Sequence, residues 1–215
     1  MQDLQADELA AICQACHEAG QQNKPFFIVG AGLPNLPGIL AEARSYAERL
    51  FHYATIGQLP PAEAVAALIR PAQQEHVEWT DQAVALVVDA ADGYPYFLQE
   101  YGSAAWDVAA SSPIDSDDAE EGIRIGKARL DDGFFRSRWE RATPGERDYL
   151  SAMAADGDAP SQSGEVARRL QKLPAQLGPV RAKLIAKGLV FAPEHGAIAF
   201  TVPGMADFIA RQTTV

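Results

Sequence analysis

Gly93 and Pro95 stand two residues apart, directly after an apolar helical stretch, and this spacing constrains the chain more than any other feature. Glycine enters left-handed backbone at little cost, and proline lacks the amide that an interior helix position must donate. The run Gly93-Tyr94-Pro95-Tyr96-Phe97-Leu98-Gln99 therefore ends one helix and starts another within three residues. Thr80 is a fitting cap for the helix before it, over 81–91, and the helix after it runs from Pro95 to about Ala110.

The same punctuation divides the rest of the chain. Leu4, Leu9, Ile12, Cys13 and Cys16 recur at helical spacing, so residues 3–21 read as an amphipathic helix stopped near Gly20. Phe26-Phe27-Ile28-Val29 is a continuous apolar run of the kind found in strands buried on both faces. It ends at Gly30-Ala31-Gly32-Leu33-Pro34, in a position where open α/β sheets bind ligands. A helix over 38–49, a second short strand over Leu50–Ile56 and a helix opened by Pro60-Pro61 follow. Beyond the polar stretch Ser111–Asp118, a charged helix covers roughly 117–140. Thr143-Pro144-Gly145-Glu146 is a capping box, in which Thr143 caps, Pro144 takes the first turn and Glu146 reaches back. Helices to Gly157, over about 163–171 and over about 176–187 come next. Two apolar strands, Leu189–Ala192 and Ala197–Val202, then flank Pro193-Glu194-His195-Gly196 as a hairpin, and Pro203 starts a last helix. Three helices followed by a two-stranded wing is the order of a winged helix-turn-helix.

Composition narrows the functions open to the chain. Its 215 residues, 47% hydrophobic, suffice for one large or two small cores. The longest apolar runs, such as Ala83–Val88, fall far short of a membrane span, and the acidic N-terminus lacks the basic start of a signal peptide. Cys13 and Cys16 form a C-x-x-C that reads either as small core residues of one helix face or as a redox pair. The four scattered histidines mark no metal site, and no catalytic constellation stands out. A formal charge of −11 opposes general attraction to nucleic acid. The charge is uneven, however. Between 161 and 190, Arg168, Arg169, Lys172, Arg181, Lys183 and Lys187 face Glu165 alone. In a DNA-binding winged helix, Arg181, Lys183 and Lys187 would meet the duplex, with Arg168, Arg169 and Lys172 beside them. The alternative is an ordinary solvated face.

Taken together, the stretches PFFIVGAGLPNLPG, SYAERLFHYATIGQL and GYPYFLQEYG and the tail order resemble the C-terminal part of bacterial AAA+/STAND-type P-loop ATPases, over essentially the whole chain. No G-x-x-x-x-G-K-[ST] loop occurs, and Met1-Gln2-Asp3-Leu4 looks like the continuation just past a Walker B Asp-Glu. The resemblance implies that the Walker A lysine, the magnesium-binding aspartate and the catalytic glutamate lie upstream. It implies a mainly α fold with short strands: a remnant of an ATPase α/β core over 1–58, a helical lid over 59–112, a linker helix over 113–142 and a winged helix over 143–215. Pro95 matches the adenine-contacting proline of a Gly-X-Pro signature, with Gly93 allowing close approach and Tyr94 adding an apolar contact. Gly30 and Ala31 occupy the sensor-1 position, where the family usually places a polar residue. ATP or ADP and magnesium would belong to the parent protein, and these residues alone would hydrolyse nothing. Expected partners are the upstream core and DNA or a protein on the winged helix; open strand edges at 26–29 and 50–56 would either join a second copy or leave the first half rearranged. The expected location is cytoplasmic. A stand-alone winged-helix module for DNA or protein binding in transcription is the other reading.

Overall fold

The computed structural model describes residues 4–33 and 36–213. Met1–Asp3, which the resemblance sets just after Walker B, and Pro34 lie outside the described residues. The chain divides into two compact bodies: residues 1–55 together with 143–215, and residues 56–142.

In the first body, α1 (Ala6–Gln21) and α2 (Leu36–Ala43) bury Leu9, Cys13, Leu36 and Leu40 around Ala47 of a short 3-10 turn, Ala47–Arg49. The helical spacing of these residues puts them on common faces, and Cys13 is buried as one of the core side chains. The two strands expected in this part do not form. Residues 24–33 and 51–60 have no regular secondary structure. A strand buried on both faces needs a neighbour on each edge, and apolarity alone supplies neither. Phe26, Phe27 and Val29 are accordingly 52%, 83% and 87% exposed. The open strand edges expected to drive self-association are absent with them.

The same body continues with α8 (Pro144–Ala154), β1 (Ser161–Gln162), α9 (Ser163–Arg169), α10 (Pro174–Ala186), β2 (Val190–Phe191), β3 (Ala197–Phe200) and α11 (Met205–Thr213). The sheet has the order β1-β3-β2 and is antiparallel, pairing Ser161 with Ile198 and Val190 with Phe200. All four residues of β3 are buried. Gly188 (φ +67°) turns the chain out of α10, and Thr201 Oγ1 donates to its carbonyl at 2.8 Å, which closes the hairpin base on the helix end. Tyr149, Leu150, Met153, Leu184, Ile198, Phe208 and Ile209 fill the core.

The second body is helical: α3 (Pro61–Gln74), α4 (Asp81–Ala91), α5 (Pro95–Val108), α6 (Ser116–Arg129) and α7 (Arg136–Glu140). Thr80 caps α4 by accepting from Ala83 N, and Asp115 caps α6 by accepting from Asp117 and Asp118. α6 runs through a π turn, Leu130–Phe135, into α7. α5 and α6 make the most extensive helix contact. A Cβ at Gly122 would fall within 2.5 Å of the Ala105 Cα, and one at Gly126 within 2.6 Å of the Tyr101 ring. Two glycines one turn apart thus let the backbones close, as small residues do at tight helix crossings.

Candidate functional site

The turn at Gly93 is built as its residues dictate. Asp92 (φ 46°) and Gly93 (φ +67°) both take left-handed backbone and end α4. Tyr94 N donates to Ala91 O at 2.8 Å, and Pro95 opens α5 with no amide to waste. Gly93 is close to backbone, but to that of its own chain. Leu59 N donates to Gly93 O at 2.7 Å, and a Cβ at 93 would lie 2.8 Å from Leu59 O. Gln58 Nε2 also donates to Asp92 Oδ2 at 2.9 Å. The glycine therefore docks the segment before α3, while Pro95 faces solvent and Tyr94 is half-buried against Phe97, with ring centroids 4.6 Å apart.

Around Phe97 gathers an aromatic group that the sequence reading missed. Tyr96, half exposed, stacks on Phe134 at 5.1 Å, and the Arg138 guanidinium lies 3.7 Å from the Phe134 ring centroid. Arg138 Nη1 also donates to Phe134 O at 2.9 Å. Burial pulls the Arg138 pKa below its ordinary value, and the neighbouring Tyr94 and Tyr96 oppose that. Phe134 and Phe135 sit in the π turn, whose presence no periodicity announces.

Gly30 and Ala31, in the first body, lie in the irregular segment and are exposed. Among the described residues no three metal-ligating side chains come together, and no helix is long and apolar enough to cross a membrane.

The basic residues of 168–187 separate by use. Glu146 Oε2 accepts from Thr143 N at 2.7 Å, completing the capping box, and from Lys187 Nζ at 2.6 Å. These bonds, the lysine's foremost, hold the buried Glu146 carboxyl below the usual range. Arg169 grips Asp156 with both guanidinium nitrogens and donates to Ala152 O at 2.8 Å, which holds Asp156 down at about 2. Arg181 donates from Nη2 to Ala197 O at 3.1 Å and so ties α10 to β3. Its Nε is buried and finds no partner among the described residues. Arg168 pairs with Glu165 at 2.7 Å on the surface. Lys172 and Lys183 are exposed. Of the six candidates for DNA contact, three are committed to holding this body together, and no spacing rule in the sequence reveals such ties between elements.

A family model described as a domain of unknown function, DUF8462, matches residues 132–209, from the π turn into α11. No curated protein matches the chain. Among solved structures, the Thermotoga maritima RuvB Holliday junction branch migration motor is similar at 18% identity and a TM-score of 0.49, over 87% of this chain and 60% of that one. Two RuvB variants from the same organism are similar to the same extent. The chain thus spans 60% of the length of the RuvB structures it resembles. At that level of likeness, the functional reading rests on the residues themselves.

Proposed function

We propose that this chain is the lid and winged-helix part of an AAA+/STAND-like ATP-binding protein, and that it passes nucleotide state from an upstream core to a DNA or protein partner. The observation that carries this reading is the segment Phe26–Val29. Its residues are strand formers suited to burial on both faces, and they stand in water without a sheet partner. Exposed apolar surface costs about 25 cal/mol per Å², so a core strand laid beside this segment would be strongly favoured. In this reading Pro95 and Tyr94 offer the adenine-contacting face, Gly93 sets their turn, and Gly30 and Ala31 hold the sensor position. ATP or ADP with magnesium is bound by the longer, cytoplasmic protein, and these 215 residues hydrolyse no ATP by themselves. The winged helix comprises α8, α9 and α10, with the β2–β3 hairpin as its wing.

The test joins the chain to its upstream genomic sequence. The expected sequence holds a Walker A loop and a strand ending in Asp-Glu. The longer protein turns over ATP, and its amides at 26–29 are protected from hydrogen exchange. ATP turnover by the 215 residues alone overturns the reading, as does rapid exchange at 26–29 in the longer protein.

The exposure of Lys172, Lys183 and Arg168 favours a second reading, a stand-alone winged-helix module in transcription. Duplex DNA shifted on a gel at low salt, with the shift lost in the Lys172→Ala/Lys183→Ala double variant, supports its DNA arm. Absence of any shift at low salt removes that arm. Arg181 is unsuited to such a test, because its loss would also free the Ala197 carbonyl of β3.

A further inference from the structure

Residues 56–142 form an open pocket of about 220 Å³ between α3, α5 and the segment leading into α4. Gln99, Ser103 and Trp106 recur along one face of α5, and Leu68 and Pro71 along one face of α3, whose C-cap is Glu75. Gly102 brings the two helices together, since a Cβ there would lie 2.6 Å from Leu68 Cδ1. Pro71 has no amide for the Ala67 carbonyl one turn back, and Gln99 Nε2 reaches across to it at 3.4 Å. Trp79 forms a further wall. Its backbone is fixed by Thr80 N donating to Ile114 O at 3.0 Å and Ile114 N donating to Glu78 O at 2.8 Å. The walls are thus held before any ligand arrives.

The chemistry of the lining is one-sided. Two of the chain's three tryptophans, Trp79 and Trp106, face a mostly apolar space. Glu75, at the exposed rim, is the one charged residue of the wall, and among the described residues no ion pair engages it. An anion would be repelled by that carboxylate with no cation in the wall to offset it. A bare metal ion would find too few oxygens for its shell. An organic ammonium satisfies both features, because its positive charge suits indole surface and a carboxylate while its alkyl groups suit the apolar wall.

We propose that this pocket binds a free, small organic cation of the alkylated ammonium class, with Trp79 and Trp106 as aromatic walls and Glu75 as counter-charge. The test titrates the full chain with choline and, separately, with its neutral isostere 3,3-dimethylbutan-1-ol, following the three indole N–H resonances. Choline shifts the Trp79 and Trp106 signals saturably and leaves Trp139 unmoved. The isostere binds at least about fivefold more weakly, as does choline to the Glu75→Gln variant. Trp106→Ala abolishes binding. Where that variant fails to fold, Trp106→Leu serves instead. Equal binding of the isostere, undiminished binding to Glu75→Gln, or no saturable shift with choline overturns the proposal.

Discussion

α5 and α6 meet closest at Gly122, against the Ala105 backbone, whereas α8 and the C-cap of α10 are joined by a carboxylate and an ammonium, Glu146 and Lys187. The first contact depends on volume. Away from that point, among the described residues, only the half-exposed Arg129, 3.6 Å from Glu100 and Asp107, links the two helices by charge, so pH should affect this contact little. The second depends on charge. Its partners tolerate small shifts in backbone position but not protonation of the carboxylate or the loss of a partner. The two bodies therefore fail in different ways, and each failure can be provoked alone.

The largest effect is expected where backbone meets backbone. Gly122→Val drives a branched side chain into Ala105 and costs more than about 3 kcal/mol, seen as loss of cooperative urea unfolding or a collapsed midpoint. A midpoint within error of the parent would show that α5 and α6 can part cheaply. Next is Glu146→Ala, which removes half a capping box and the ion pair to the half-buried Lys187, for about 2–3 kcal/mol by thermal or denaturant unfolding. Glu146→Gln should lose less, since its amide oxygen still accepts.

Acid separates the two bodies directly. Asp156 has its carboxyl held from 3.8 down to about 2, so its contribution to stability is full above pH 4 and is lost as pH falls from there through about 2. Its side chain is about a quarter exposed, which limits the loss to roughly 1–2 kcal/mol. Glu146, also held low, acts in the same direction. On acidification, amides in 143–213 should lose exchange protection before those in α5 and α6, and Asp156→Asn should flatten the dependence. Simultaneous loss in both bodies would show that charge and volume do not divide them. The smallest effect is expected at Glu165→Gln. Its partner Arg168 is largely in water, and thermal unfolding should not register the change.

Local chemistry made much of this legible. Thr80, Asp92-Gly93, Pro95, the Thr143–Glu146 box and Gly188 each fix a helix end by bonds within four residues, and the structure has ends there. Phe26–Val29 misled, because strand formation is settled by a neighbour and not by the segment itself. The two-residue strand β1 was invisible for the converse reason, since Ser161 and Gln162 are strand only by pairing with β3. The basic face was legible as charge but not as structure, because Asp156 and Glu146 lie 13 and 41 residues from the cations they hold. Gly122 and Gly126 carried a signal in their spacing that a search for turns passes over.

The π turn at Leu130–Phe135 holds one residue more than an α turn would. An α-helix advances ~100° per residue, so deleting a residue within α6, at Lys127 for instance, would swing everything beyond it by that angle. A deletion at Gly133 would instead convert the wide turn to an ordinary one and leave α7 facing as before. The turn is slack in an otherwise rigid screw. It is the one stretch of that rod where the chain can change its count without changing its aim.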